Sequence, residues 1–445
     1  MPVDTRHPDY VARQPEWVEM RDCQRGATAV KEKGEEYLPM PSGFAVQDDK
    51  GIAMYAAYKT RAQFPDIVAP TIGSMVGMIH RREAEITMPD ALQGLWERAT
   101  LDGLPLEAFH RQITTELLET GRYAVLADAP AEGSDLPYLV GYTAEALLNW
   151  SPDRTLFVVD ESGRQRVEGD EFGWQDVKRY RVLRLAGGVY TQQPYEGTDS
   201  VGEIATPTRR GGGNLDAIPL VVVGARDLNV DPDDPPLLGV ARAALAAYRL
   251  DADYRHQLYM SGQETFVVIG ADDAPSAVGA GVVITMPLGG DAKYVGPSGT
   301  GIAAHRLAIL DERQAAVSAG AKMADASKGG VESGEALRIR NVSRTATMVT
   351  VAVTSAQGLE RALRHIAVMV GLNPADIVVK PNLEFVEELL DPKAAAELVK
   401  MWQGGAISFE TLYENLQRGG IASSERAAGD ERELIEGEAP QGVTV

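Results

Sequence analysis

The sequence predicts an α+β fold, because helical and strand-like patterns occupy separate stretches of the chain. Apolar residues recur at helical spacing through the first third, apolar and polar residues alternate from about residue 122 to 223, and three long helical patterns follow. With 445 residues, of which 44% are hydrophobic and 24% charged, the composition is that of a globular protein. At ~150 residues per domain the length predicts two to four domains.

Helices dominate the first third of the chain. Gly34 is expected to end the first helix and Gly121 the last, since glycine adopts the left-handed conformation that follows many helices. Apolar spacing predicts helices at Trp17–Lys33, Ala53–Phe64, Ile72–Ile79, Asp90–Thr100 and Leu106–Thr120.

The pattern then changes to short alternating segments separated by Gly, Pro and Asp turns. Together they predict one antiparallel sheet that completes an α+β region from residue 1 to about 228. The glycine-rich stretch Arg209–Asn214 is predicted to be a mobile loop whose two arginines face solvent. The predicted strands are Arg122–Ala127, Tyr138–Tyr142, Leu156–Val159, Val177–Leu185, Val189–Gln193 and Leu220–Val223.

A proline-rich connector, Asp231–Pro236, precedes a long helix that runs from Leu238 to about Tyr259. Its apolar residues Leu238, Ala241, Leu245, Tyr248 and Ala252 recur at spacings of three and four. A small insert, 264–298, contains the predicted strands Thr265–Ile269, Val282–Met286 and Ala292–Val295. A second long helix is expected over Ile302–Met323, followed by an exposed loop, Ala324–Gly330.

The third long helix has the clearest periodicity in the chain. Its apolar seam from Val349 to Val370 repeats every three and four residues, Ser333 is a candidate N-cap, and Gly371 ends it. Gly358 is a natural place for a bend. The seam fits either a helix buried in its own chain or one that also packs on a neighbouring subunit. Both interpretations remain open.

The C-terminal part is predicted to be a short strand, Asp376–Lys380, followed by two helices, Pro392–Gln403 and Ser408–Gln417. From Ser423 onward Asp and Glu residues greatly outnumber Arg residues. This end is expected to fray into an acidic, partly disordered tail.

Charge and motifs argue against most enzyme classes. The net charge of −21 is not that of a protein that grips DNA over most of its surface. The single cysteine, Cys23, excludes an intramolecular disulfide, and no two histidines have metal-binding helical spacing. No catalytic, cofactor or metal site is therefore predicted. An alternative of a different class is a metal-dependent nuclease or phosphatase built on the acidic cluster Asp231, Asp233 and Asp234.

Several short segments occur together in an order that resembles a known family. The strongest is the succession of two long helices around a small β insert, a glycine-containing loop, and Ser333–Leu337 opening another long helix. Over nearly the whole chain this order is similar to the portal proteins of tailed bacteriophages, and in particular to a subgroup catalogued as a phage domain of unknown function. The supporting segments are Met20–Cys23, Gly34–Pro39, Tyr58–Ala62, Val76–Met78, Gly121–Leu126 and Pro137–Leu139.

The resemblance implies a portal-protein fold with an α/β wing, long stem helices, a small β clip and a helical crown. By position it implies wing 1–235, stem helix 1 at 236–263, clip 264–298, stem helix 2 at 299–323, tunnel loop 324–333, long helix and wing completion 334–390, and crown with acidic tail 391–445.

The resemblance also implies a function without chemistry of its own. Portal proteins form rings, twelve-fold in the virion, at one capsid vertex, where double-stranded DNA passes without sequence specificity. The implied partners are the terminase, which hydrolyses ATP, the major capsid or scaffolding protein, and head-completion and tail proteins. The expected location is the virion, after assembly in the host cytoplasm, with no membrane and no cofactor. Another head-tail connector is the alternative within structural proteins.

Two sets of residues are the candidates for these roles. Lys322, Lys328 and Glu332 are expected at the DNA channel, where Lys328 approaches phosphate, and a solvated loop without DNA contact is the alternative. Inter-subunit ion pairs are favoured over DNA contacts for Arg338, Arg340 and Arg344. The subunit-interface or long-helix candidates are Leu245, Tyr248, Arg338, Arg340, Arg344, Leu359 and Leu363.

Overall fold

The computed structural model describes most of the chain, in two compact units, Met1–Pro381 and Asn382–Val445. The described ranges are 2–44, 49–130, 136–261, 265–270, 288–295, 301–321, 334–385, 392–418, 421–423 and 426–438. The predicted strand Val282–Met286 and the predicted loop 324–333 lie outside them.

Six helices form the N-terminal part of the first unit. They are α1 (Pro8–Arg25), α2 (Ala27–Glu32), α3 (Asp49–Arg61), α4 (Val68–Ile79), α5 (Gly94–Glu97) and α6 (Leu106–Thr120). The bounds predicted for α6 are confirmed, and Gly121 follows it in the left-handed region with φ 76°.

Two of the predicted helices are wrong in extent. The single helix expected at Trp17–Lys33 is two helices, because Gly26 breaks the chain at φ 84° and a Cβ there would lie 2.7 Å from Asp66 Oδ1. The helix expected at Asp90–Thr100 is only a 3₁₀ turn, Asp90–Leu92, and the one-turn α5.

The strands of the first unit form two main antiparallel sheets, where the sequence predicts one. The strands are β1 (Glu85–Thr87), β2 (Arg122–Asp128), β3 (Tyr138–Thr143), β4 (Leu147–Trp150), β5 (Leu156–Asp160), β6 (Gly163–Arg166), β7 (Trp174–Val177), β8 (Arg179–Ala186), β9 (Val189–Glu196), β10 (Asp199–Ser200) and β11 (Leu220–Gly224). A three-stranded sheet has the order β11-β2-β3, and a five-stranded sheet has the order β10-β9-β8-β5-β4.

A polar network connects the two sheets. Arg181 on β8 pairs with Asp128 at the end of β2 and with Glu161 at 2.7 Å, and Gln192 on β9 donates to Asp128 Oδ1 at 2.9 Å. Asp128 and Gln192 are buried, so these charges satisfy one another in the interior. The network joins the end of β2 in the three-stranded sheet to β8 and β9 of the five-stranded sheet.

The second half of the first unit contains three long helices and a β ribbon. They are α7 (Leu238–Ser261), β12 (Thr265–Ile269), β13 (Asp291–Val295), α8 (Ile302–Ala321) and α9 (Gly334–Val370), followed by β14 (Val378–Lys380), which pairs with β1. The predicted positions of all three helices are confirmed within two residues at the ends that the structure describes.

The long helix α9 packs on the three-stranded sheet and on α6. Gly358 lies where the helix crosses β11, and a Cβ at this position would collide with the side chain of Val223. The glycine therefore permits close packing of helix on sheet. The neighbouring glycine-rich loop, predicted to be mobile, is held in place, because the Arg210 amide donates to Met369 O at 2.6 Å and Arg209 to Gly213 O at 2.9 Å.

The second unit contains α10 (Pro392–Gln403), α11 (Phe409–Arg418) and α12 (Ala428–Glu438). The aromatic rings of Trp402 and Phe409 lie 5.8 Å apart, and Phe409 stacks on Tyr413 at 6.0 Å. Arg432 of α12 lies 5.9 Å from the Phe409 ring. The expectation that the chain frays from Ser423 is therefore wrong for α12, which this contact ties to α11.

Candidate assembly surface

The helix α7 has two halves with different surroundings. In the first half Leu245, Tyr248 and Ala252 are buried, and the Tyr248 ring meets Phe64 edge-on at 6.1 Å. The buried carboxylate of Asp251 accepts from the Gln63 amide at 2.7 Å. This half of α7 therefore belongs to the core of the first unit.

The second half of α7 leaves that core. Tyr58 donates to Asp253 Oδ1 at 2.6 Å, and the Arg61 guanidinium lies 4.2 Å from the Tyr259 ring. Beyond these contacts Tyr259 and Met260 are about half exposed. The helix thus projects from its anchored half.

The helix α8 packs along α7 and is joined to it through the ribbon of β12 and β13. Ile309 of α8 is buried, whereas Leu307 and Leu310 are 61% and 50% exposed. The last two are three residues apart and so share one face of the helix. Helix α8 is consequently apolar on more than one face, and the described residues cover only one of these faces.

The ribbon also has exposed apolar side chains. Phe266 and Tyr294 pair across the strands with ring centroids 5.0 Å apart, and Ile269, Tyr294 and Val295 are about half exposed. We call the described residues of 253–321 the arm. The arm surface is its set of exposed apolar side chains: Leu258, Tyr259, Met260, Ile269, Leu288, Tyr294, Val295, Leu307 and Leu310.

The arm surface is the functional feature that sequence reasoning missed. Leu307 and Leu310 were not among the candidate residues, although Ile302, Leu307, Ile309 and Leu310 do not fall on one helical stripe. That distribution was the available signal. It indicates a helix covered on more than one side.

Only part of the candidate set lies among the residues whose side chains the structure describes. Leu245, Tyr248, Leu359 and Leu363 are buried within this chain, as expected for a helix in its own core. Their role at a subunit contact stays a prediction. The segment that holds Arg338, Arg340 and Arg344 is helical as part of α9. Lys322, Lys328 and Glu332 lie outside the described residues.

The acidic cluster of the alternative enzyme hypothesis has other partners. Asp233 accepts from the Arg226 amide at 2.8 Å, and Asp234 pairs with Arg13 and with Arg226. Burial raises the pKa of the Asp233 carboxyl above its usual value. Within the described part of the chain, no three His, Cys, Asp or Glu side chains come together in a way that could hold a metal ion. These carboxylates hold the connector in place.

Among the helices of the described ranges, none combines the length and the apolar character that crossing a bilayer requires.

Residues 236–369 match the model of a family described as a domain of unknown function (DUF4055). This segment contains α7, the ribbon, α8 and nearly all of α9. The match confirms the resemblance to a phage-associated domain over this part of the chain. No curated protein matches the chain.

The chain is also similar to solved structures of phage-like gene transfer agent (GTA) particles. The neck of a native GTA particle computed with C12 symmetry is 16% identical, with a TM-score of 0.42, over 81% of this chain and 91% of that one. The virion of a native GTA particle is 16% identical, with a TM-score of 0.42, over 82% and 93%. The neck of an empty GTA particle computed with C6 symmetry is 14% identical, with a TM-score of 0.40, over 86% and 94%.

Proposed function

We propose that this protein is a phage portal protein, a structural ring subunit at one capsid vertex through which double-stranded DNA is packaged and ejected. The arm is the observation that carries the proposal. It is a projecting pair of helices joined through a β ribbon, and the described residues leave its apolar surface uncovered.

Self-association is the simplest way to cover the arm surface. Leu307 and Leu310 lie on an exposed face of α8, so a second copy of the arm can pack there while α7 and α8 stay together. A contact between two different faces of the same subunit is head-to-tail, and repeated by rotation it closes into a ring. The wing, stem, clip, tunnel-loop and crown regions then have the bounds that the resemblance implies.

The partners follow from the same proposal. A ring of twelve subunits docks the terminase, contacts capsid or scaffolding protein, and later binds head-completion and tail proteins. The protein itself does no chemistry in this role. Its net charge of −21 supports a channel that conducts DNA without holding it, because a strongly cationic wall would retain phosphates at each step.

The first experiment measures assembly. Purified protein is expected to form rings with a central hole by negative-stain microscopy and a single high mass by mass photometry. The double variant Leu307→Asp/Leu310→Asp should shift the population to monomers, because each carboxylate would have to be buried between subunits. Leu101→Asp, at a leucine 54% exposed outside the arm, is the matched control and should still form rings. Monomeric wild-type protein would contradict the proposal.

The second experiment separates a portal protein from another head-tail connector. Deletion of residues 272–280 in the proposed clip should leave rings intact and abolish terminase recruitment. Rings of the full-length protein that do not recruit terminase would favour the other connector. A metal-stimulated nuclease assay on the same preparation should be blank, and activity there would support the enzyme alternative.

The proposed channel loop is tested separately. If Lys328 approaches phosphate, Lys328→Ala virions should package less DNA or retain it less well. Lys322 and Glu332 are the flanking candidates for the same assay. Normal packaging and retention in all three variants would argue against a channel role for these residues.

A further inference from the structure

The connector that leads into α7, extended here to residues 227–236 so that it includes the proline-rich Asp231–Pro236, is held by Arg122 of β2 and by Arg154 in the turn between β4 and β5. Arg154 Nη2 donates to Leu228 O at 2.8 Å, and Arg122 Nη2 donates to Val230 O at 2.6 Å. Leu228 and Val230 are themselves buried. Two hydrogen bonds therefore hold this segment just before the helix that leads into the arm.

Of these two arginines, Arg122 is the one with unpaired hydrogen-bond donors in the interior. Its side chain is 1% exposed, and the guanidinium lies 4.0 Å from the Trp150 ring, on which His7 stacks at 4.0 Å. Among the described residues, neither Nε nor Nη1 of Arg122 has a hydrogen-bond partner. A buried cation with two unpaired donors is costly, and the burial lowers the pKa of Arg122 to about 9.

A carboxylate is available next to Arg122. Asp231 follows Val230, whose carbonyl already accepts from Arg122, and Asp231 is an exposed residue. Its Oδ1 accepts only a long bond of 3.4 Å from the Trp150 indole. If this side chain turns inward, the Trp150 indole gives up this long hydrogen bond, and the buried guanidinium gains an ion pair.

We propose that Arg122 and Asp231 form a latch with two arrangements. In one, Asp231 stays at the surface on the Trp150 indole; in the other, it pairs with Nε and Nη1 of Arg122. The second arrangement holds the connector, residues 227–236, more tightly against the sheets. Because the connector runs directly into α7, the latch sets how firmly the arm helix is held at its start. The inference does not rest on the proposed function, since it concerns contacts within one chain.

Hydrogen exchange of the full-length protein tests the latch. Asp231→Asn removes the charge of the pair, and Arg122→Met removes the cation. Each variant should speed amide exchange in peptides covering 228–240 by roughly tenfold, and the double variant should be no faster than Arg122→Met alone. Asp231→Glu keeps a carboxylate and should restore most of the protection. Arg122→Gln, which also removes the cation, replaces Arg122→Met if the latter does not fold.

Asp227→Asn is the matched control, because Asp227 lies on the same connector and accepts from Asn229 rather than from Arg122. Its effect should add to that of Arg122→Met. Unchanged exchange in Asp231→Asn overturns the latch. Additive effects of the Asp231 and Arg122 substitutions overturn it as well.

Discussion

The two halves of α7 show how one continuous helix serves two purposes. The half around Leu245 and Tyr248 is buried in the first unit and anchored through Asp251, whereas the half around Tyr259 and Met260 is exposed on the arm. We call the first unit without the arm the body. Most apolar side chains of the body are buried, whereas the arm leaves many of its apolar side chains exposed. Burial, rather than helical pattern, therefore distinguishes these two parts of the helix.

The largest loss of stability is expected from a substitution that disrupts packing inside the body. In Gly141→Ala the new Cβ would overlap the hydroxyl of Tyr123, a residue only 1% exposed that has no room to move. We expect a loss of about 3 kcal/mol or more in the free energy of unfolding, measured by chemical denaturation. Gly73→Ala, in α4 with open space around it, should instead stabilise by about 0.5–1 kcal/mol. Equal effects of the two variants would contradict the packing argument.

A matched pair of leucines compares body and arm. Leu359→Ala removes a fully buried side chain from α9 and should cost about 2–5 kcal/mol of unfolding free energy. Leu307→Ala removes a side chain that is 61% exposed on α8 and should change the stability of the single chain by less than about 0.5 kcal/mol. Thermal and chemical unfolding of dilute, dissociated protein measure both. A large cost for Leu307→Ala in the monomer would show that the chain itself covers this side chain.

Acid should weaken the body through its buried histidines. His80 and His110 meet edge-to-face at 4.8 Å, and burial lowers the pKa of His80 to about 4 and that of His110 to about 3. The unfolded chain, with histidine pKa near 6.5, binds protons first, so stability is full above about pH 6.5 and falls as pH approaches 3. The slope is about 1.4 kcal/mol per pH unit for each histidine. His110→Gln should flatten the pH dependence of unfolding between pH 6.5 and 4, and an unchanged slope would contradict this assignment.

The smallest effect is expected where the body itself is exposed. Lys380 pairs with Glu85 at 3.2 Å across β14 and β1, and both side chains are more than 60% exposed. Lys380→Gln should cost less than about 0.5 kcal/mol, since solvent and salt screen such pairs. The denaturation midpoint in low and high salt measures it. A cost above 1 kcal/mol would mean that this strand pairing depends on the charge.

Local patterns predicted much of the fold. The bounds of α6 and α10 and the positions of the three long helices follow from periodicity together with Gly121, Pro392 and Gly371. The strands β1, β4, β6, β7 and β10 were missed. Strands β1 and β10 have only three and two residues, and Asn149 and the polar residues of 163–177 interrupt the alternation that marks a strand in the other three. The acidic α12 was missed because its composition resembles a solvated tail, whereas the contact of Arg432 with Phe409 ties it to α11.

The candidate site was predicted less well than the fold. The resemblance directed attention to charged residues at 322–344 and to apolar residues of the long helices, and the structure places four of the latter in the core. The spacing of Leu307 and Leu310 indicates that α8 is apolar on more than one side, but it does not tell which of these sides the chain itself covers.

By itself the sequence determined the α+β class, the order of helices and strands, and the acidic charge, since these follow from residue type and local spacing. Only the tertiary structure decided which apolar residues are covered, that the alternating segments form two sheets joined through Arg181, and that Arg122 is buried beside the connector. The physical reason is that burial and charge pairing depend on segments far apart in the chain. Tyr248 of α7 and Leu307 of α8 are both apolar residues on long helices, and only tertiary packing buries the first and leaves the second exposed.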